Sequence, residues 1–242
     1  MWSPEQYERF KAERHQPFDD LLAMVERRPH MRVVDLGCGT GELTRELHDA
    51  LGATETVGID DSETMLLKAG HFQGEMLRFE RGSIEEFVAD QPFDLVFSNA
   101  ALHWVPDHEQ LLTRLTRFLG TDGQLAVQMP ANDSHASHRV AAEVAAELGL
   151  APRPDYILPV ERYAELLHRL GYKRQHVRMQ VYGHLLPSSS DVVEWVRGAL
   201  LTYYEPHHPA FLDEYRARLA KELGDERPYF YTYKRVLMWG TF

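Results

Sequence analysis

Val33-Val34-Asp35-Leu36-Gly37-Cys38-Gly39-Thr40-Gly41 is the stretch that decides the fold. A β-branched run ends in an acid, and three glycines follow at alternate positions. Glu42 then opens a segment with Leu43, Leu47 and Leu51 at helical spacing. This reads as a strand, a tight turn and a helix. Glycine lets the turn bend sharply and approach a ligand with no Cβ in the way. The start of the helix adds free N–H groups and a partial positive charge. Such a turn suits a nucleotide or an amino-acid carboxylate. A dinucleotide fold asks for G-x-G-x-x-G, with its third glycine here at position 42. Glu42 stands there, a poor neighbour for a pyrophosphate, so an NAD-dependent oxidoreductase is disfavoured. The bland alternative, a purely structural turn, is countered by the preceding strand and the flanking acid.

Outward from the loop, the first half alternates between two periods. Strand-like runs lie at 32–36, 55–59, 77–80, 93–97 and 124–128. Helical spacing lies between them, as in Leu111, Leu115 and Leu119, with Asp107 as N-cap and Gly120 past the end. Alternation of this kind predicts βαβ units in a parallel sheet with helices on both faces. The second half is less regular. Helical patterns run through Val140–Val144–Leu148, through Tyr163–Leu166–Leu167–Leu170, and over 192–201 and 211–223. Alternating strands are expected at 176–182 and 229–239. The chain therefore reads as one Rossmann-like α/β domain. Residues 1–29 form N-terminal lid helices and 30–130 the cofactor-binding half. Residues 131–186 supply the remaining core helices and a strand, 187–226 a helical cap insertion, and 227–242 the final strand. Pro17 is expected to break the 3–15 segment from a helix built on Phe18, Leu21, Leu22 and Val25.

Composition bounds the function. The 242 residues are 44% hydrophobic and 26% charged, an ordinary globular balance. Lys+Arg number 26 and Asp+Glu 37, giving a net charge of −11 that repels phosphate backbones and anionic lipid. Nucleic-acid and membrane partners are thus not expected. Cys38 is the single cysteine, so no intrachain disulfide can form and a reducing cytoplasm is the expected compartment. The polar N-terminus does not read as a signal peptide.

The carboxyl ends of the remaining strands supply candidate ligands. Asp60 closes the second strand about 20 residues past the loop, where an acid accepts from both hydroxyls of a ribose. Asp61 is its turn neighbour. Ser83 and Ile84 follow the third strand, Ser83 as either a plain loop serine or a weak hydrogen-bond acceptor for a ligand, and Ile84 as an apolar packing surface. The fourth exits into Asn99-Ala100-Ala101-Leu102-His103-Trp104. Asn99 offers its amide or carbonyl to an amino group, and His103 is the one obvious general base. Core packing and a satisfied structural histidine are the competing roles for Trp104 and His103. A metal site is not expected, because His135/His138 and His207/His208 come with neither a H-E-x-x-H helix nor a cysteine partner.

The D-x-G-x-G-x-G arrangement of Asp35, Gly37, Gly39 and Gly41 resembles motif I of class I S-adenosylmethionine-dependent methyltransferases. Nearly the whole chain is similar to the trans-aconitate methyltransferase family. The similarity rests on Tyr7, Phe10, Glu13, Arg14 and Pro17, then on 97–108, on Gln128-Met129-Pro130 with Asn132, on Trp195-Val196, and on Arg235. It implies a seven-stranded sheet, mostly parallel with the last strand antiparallel, and a helical cap. It also implies S-adenosylmethionine as cofactor, S-adenosylhomocysteine as product, and a small molecule as methyl acceptor, methylated on a carboxylate. The implied cofactor-binding residues are Tyr7, Arg14, Asp35, Gly37, Cys38, Gly39, Gly41, Asp60, Asp61, Ser83, Ile84, Asn99 and Ala100. Acceptor binding falls to Trp104, Gln128, Trp195, Tyr203 and Arg235. Two departures remove a guanidinium: Gln16 stands where the family carries a second basic residue, and Leu201-Thr202-Tyr203 replaces Leu-Arg-Pro. Trans-aconitate or a larger, less charged acid is the expected acceptor, with a phenol, an amine or a carbon as the alternative. A monomer or homodimer is expected, and a catalytically silent cofactor-binding module is the remaining alternative.

Overall fold

The computed structural model describes residues 11–242, with side chains from residue 15 onward apart from that of residue 199. Helix α1 (Lys11–Leu22) leads to β1 (Arg32–Leu36), α2 (Glu42–Leu51), β2 (Glu55–Asp60), α3 (Glu63–Ala69), β3 (Leu77–Arg81) and β4 (Phe93–Asn99). Helix α4 (His108–Thr116), β5 (Leu119–Pro130), α5 (Ala136–Glu147), α6 (Val160–Arg169) and β6 (Arg174–Leu186) follow. Helices α7 (Asp191–Val196), α8 (Thr202–Tyr204) and α9 (Phe211–Leu223) precede β7 (Tyr229–Thr241). Pro17 lies inside α1 and does not break it. Phe18 and Leu21, just beyond the proline, are fully buried, and that packing holds the helix through the one backbone bond the proline forgoes.

The strand order is β3-β2-β1-β4-β5-β7-β6. β3, β2, β1, β4 and β5 are parallel, with Asp35 opposite Gly58 and Phe97, and Asn99 opposite Gln128. β7 runs antiparallel to β5: the Ala131 N–H bonds the Lys234 carbonyl, and the Phe242 N–H bonds the Gly123 carbonyl. The carboxyl ends of β1, β2 and β4 therefore lie together, the edge where such sheets bind ligands. β5 begins at Leu119, earlier than its apolar pattern indicates. Gly120 is not a helix stop; a register shift between Phe93 and Leu95 absorbs the extra residues. The expected helix over 192–201 ends at Val196 and passes into a π-helical turn, Arg197–Leu201, where the Thr202 hydroxyl bonds the Gly198 carbonyl at 2.9 Å.

The chain divides into two compact units. The core unit holds Gln16–Pro130, Tyr156–Gln180 and Val236–Phe242. Its apolar centre joins Phe18, Val33, Leu47, Leu95, Phe97, Leu237 and Trp239, with the Phe18 ring edge-on to Phe97 at 5.8 Å. The second unit holds Ala131–Asp155 and Val181–Arg235. It has its own centre of Val140, Val144, Trp195, Tyr204, Phe211, Tyr215 and Tyr231, with Tyr204 stacked on Phe211 at 4.9 Å. Among the described residues no helix is long and apolar enough to cross a membrane.

Candidate active site

In the core unit the glycine loop is locked from both sides. The N–H groups of Gly37 and Cys38 both bond the Ile59 carbonyl, at 2.8 and 3.0 Å. Gly37, Gly39 and Gly41 all take positive φ, at 80°, 56° and 78°, a region other residues reach only with strain. At Gly37 the requirement is also steric, since a Cβ there would lie 2.1 Å from the Ala101 Cβ. At Gly39 a Cβ would meet nothing within 4 Å among the described residues, so they leave the loop open there.

A buried acid and a half-buried one face this loop. Asp35 is 4% exposed; its Oδ2 accepts from the Thr44 hydroxyl at 2.6 Å, while Oδ1 is buried with no hydrogen-bond partner among the described residues. Burial pushes its carboxyl up to about 7, only partly offset by the Thr44 bond, and the charge of Asp60 adds to the rise. Asp60 braces the loop: Oδ2 accepts from the Gly39 N–H at 2.9 Å and Oδ1 from the Ser62 N–H at 3.0 Å. Burial raises its pKa against those two bonds. Cys38 is buried and its thiol is pushed far above its ordinary value, first by burial and then by the charges of Asp35 and Asp60. It is an inert packing group.

The other strand ends carry the rest. Ser83 Oγ accepts from the Glu86 N–H at 3.1 Å and so caps its own turn. Arg114 holds that turn by donating to the carbonyls of Ile84 and Phe87. Asp61 is exposed. The Gln128 amide, fully buried, donates to Asn99 Oδ1 at 2.6 Å, which leaves Asn99 a donor nitrogen and a main-chain carbonyl to offer a ligand. Ala100 turns the chain at φ 57° and donates its N–H to the Gln128 carbonyl at 2.8 Å. The His103 ring lies 4.7 Å from that of Trp104, which is half exposed.

Sequence reasoning missed the groups that position these. Thr44 and Ser98 anchor the first and fourth strand ends, the latter donating to the Leu36 carbonyl at 2.7 Å. His108 Nε2 donates to the Leu102 carbonyl at 3.0 Å, and Nδ1 accepts from the Tyr163 hydroxyl, which itself accepts from the Leu158 N–H. His108 thereby fixes the loop that carries His103. Only the three-dimensional pairing with Tyr163, 55 residues away, reveals it.

In the second unit, Trp195 stacks on His184 at 4.5 Å and lies edge-on to Tyr231 at 5.6 Å. Arg235 is buried with its guanidinium 5.0 Å from the Tyr233 ring centre, and Tyr203 packs edge-on against Tyr204. Tyr7 and the side chain of Arg14 lie outside the described residues.

Residues 27–164 match the methyltransferase domain family. The chain is 43% identical to a trans-aconitate 2-methyltransferase of Deinococcus radiodurans, covering 99% of this chain and 98% of that one. The chain belongs to the trans-aconitate 2-methyltransferase family. A relative of the same name from Variovorax paradoxus is 39% identical over 90% of this chain and 88% of that one. Among solved structures, the YcgJ protein of Bacillus subtilis superposes with a TM-score of 0.63 at 14% identity, covering 94% of this chain and 98% of that one. A Haemonchus contortus phosphoethanolamine N-methyltransferase 2, solved with S-adenosylhomocysteine, gives 0.60 at 16% identity, covering 94% of this chain and 52% of that one. These two share the fold. The family makes this chain an S-adenosylmethionine-dependent methyltransferase, and its own residues fit that cofactor. Among the described residues Asp35 Oδ1 is a buried acceptor without a partner, suited to a cationic group, and Gly39 leaves open the space a side chain would fill.

Proposed function

We propose that this enzyme methylates a carboxylate of a small organic acid, with trans-aconitate the first acceptor to test. The observation that supports this most is the 43% identity with the Deinococcus protein of that name, which runs through both units and not only the glycine loop. Bound S-adenosylmethionine supplies a methyl carbon on a sulfonium, whose C–S electron pair leaves with sulfur as S-adenosylhomocysteine forms. A carboxylate is already ionised at neutral pH. The chain therefore need not remove a proton, and its work is to bind, align and exclude water. In this reading Gly37, Gly39, Gly41 and Asp60 hold the ribose side, and Asp35 and Asn99–Ala100 hold the amino-acid end. Ser83 and Ile84 line the base, with Asp61 and Cys38 at the margin. Tyr7 and Arg14 are assigned to cofactor binding. Trp104, Gln128, Trp195, Tyr203 and Arg235 serve the acceptor, Gln128 through Asn99. His103 is not required. The net charge of −11 supports neither nucleic acid nor membrane as partner, and the single cysteine supports a reducing, cytoplasmic compartment; in this reading the enzyme acts on a small molecule as a monomer or homodimer.

Incubation with methyl-labelled S-adenosylmethionine and a panel of carboxylic acids tests the reading. Label in an alkali-labile methyl ester supports it; label transferred only to a phenol, amine or carbon acceptor overturns it.

A further inference from the structure

Within the core unit, a cleft of about 400 Å³ opens between the end of α1 and the edge strand β6. That volume is in the range of small-molecule pockets, ~300–1,000 Å³. Arg174, His176 and Arg178 line one side; as alternate residues they share one face of β6. Met24 and Trp239 supply an apolar wall. Gln124 fixes where the cleft lies. Its Oε1 accepts from the Glu26 N–H at 2.8 Å and from Trp239 Nε1 at 2.9 Å, and both Glu26 and Trp239 line the cleft. Gln124 pairs with Leu95 at the amino side of a ladder that ends with Gln128 opposite Asn99. The cleft therefore sits toward the amino ends of the parallel strands, and the glycine loop sits at their carboxyl ends.

The two guanidinium groups of the cleft differ. Arg174 is committed: Nη1 and Nη2 both donate to the Glu26 carboxylate, the second at 2.8 Å. That pairing holds the Glu26 carboxyl below its ordinary range. The Arg174 guanidinium also lies 5.6 Å from the Trp239 ring centre.

Arg178 has neither a hydrogen-bond acceptor nor an ion-pair partner among the described residues, and its Nε is buried with nothing to bond. A buried donor left unmatched loses its hydration without replacement, which native structures seldom tolerate. Nε and the neighbouring terminal nitrogen form one edge of the planar fork, and that edge fits the two oxygens of a carboxylate. Asp20 lines the cleft without bonding Arg178, and the exposed His176 ring adds a further nitrogen. An unmatched fork beside an apolar wall specifies a ligand with a charged end and an apolar body.

We propose that this cleft is a second ligand site, in which Arg178 binds the carboxylate of a small organic acid whose apolar body lies against Met24 and Trp239. The site is separate from the cofactor loop and does not depend on which acceptor the enzyme methylates.

The experiment follows the Trp239 indole N–H by NMR, assigned with Trp239→Phe, as benzoate is added to the full chain saturated with S-adenosylhomocysteine. Benzamide carries the same ring without the charge, and inorganic phosphate the charge without the ring. Benzoate should move the signal to saturation, and the other two should bind at least about tenfold more weakly. Arg178→Gln should weaken benzoate binding roughly 10-fold or more, the loss of a charge-assisted pair. Arg178→Lys keeps the charge without the fork and should recover part of that loss. Ala23→Glu places a competing carboxylate at an exposed position in the cleft and should weaken benzoate as well. Affinity for S-adenosylhomocysteine should hold within about twofold in every variant, because the two sites are distant. Should Arg178→Gln not fold, Ala23→Glu decides. A Trp239 signal that does not move at millimolar benzoate overturns the proposal. So does benzoate binding unchanged by these substitutions, or phosphate binding as well as benzoate.

Discussion

Asp60→Asn tests the residue that braces the glycine loop and is proposed to hold the cofactor's ribose. The native carboxylate uses one oxygen for the Gly39 N–H at 2.9 Å and the other for the Ser62 N–H at 3.0 Å. Asparagine keeps one acceptor oxygen and turns an NH2 donor toward one of those N–H groups, so at least one charged hydrogen bond is lost. Such a bond contributes about 1.5–3 kcal/mol, and the same carboxylate loses its charge toward the ribose hydroxyls. The expected effect is a fall in S-adenosylhomocysteine affinity of roughly 10- to 150-fold. The melting temperature of the free protein should drop by a few degrees, because the Gly39 turn loses its brace. Calorimetric titration with S-adenosylhomocysteine, alongside thermal melts with and without ligand, reads both. A variant that melts lower and binds S-adenosylhomocysteine with wild-type affinity would refute the reasoning: Asp60 would then be a structural brace alone.

Asp35 gives a pH dependence. Burial pushes its carboxyl up to about 7 in the folded chain, against about 3.9 for an unperturbed aspartate. Between those values the folded state holds a proton that the unfolded chain has released, so Asp35 destabilises the free protein progressively as pH rises from about 4 to 7. The total is on the order of 4 kcal/mol, and Asp35→Asn should flatten that slope in melts across the range. Gly37→Ala should abolish folding or cofactor binding, because it combines a φ of 80° with a Cβ 2.1 Å from that of Ala101; a backbone strained in this way costs about 1–3 kcal/mol before the clash is counted. Unchanged melting and affinity would contradict it. Tyr163→Phe should cost about 1–3 kcal/mol in chemical denaturation, because the Leu158 N–H loses its acceptor and His108 its donor. His103→Gln should leave kcat within a few-fold on a carboxylate acceptor; a loss of about 10²–10⁴-fold would identify His103 as a general base and the acceptor as a hydroxyl or amine.

The parallel half of the sheet was legible because its strands are short β-branched runs closed by an acid or glycine, as at Asp35-Leu36-Gly37 and Gly58-Ile59-Asp60. The loop was legible for the same reason, since three alternate glycines leave few backbone solutions. Boundaries were legible only where apolar patterning decides them. β5 starts five residues before its apolar run because pairing with β4 across a register shift, not burial, sets its edge. Pro17 looked like a helix breaker because its local cost is plain in the sequence, whereas the packing of Phe18 and Leu21 that outweighs it is not. The same divide runs through the site. Acids and glycines announce themselves by spacing. Thr44, Ser98 and His108 act through partners far apart in the chain or through burial, and neither quantity is written locally.

The central claim is methyl transfer from S-adenosylmethionine to a carboxylate. Its most direct measurement is the fate of the transferred methyl, followed with labelled S-adenosylmethionine and trans-aconitate and then treated with mild alkali. The account predicts one S-adenosylhomocysteine per labelled product and release of the label as methanol, as an ester requires. Label that resists alkali, or S-adenosylhomocysteine formed with no label in the acid, would contradict it.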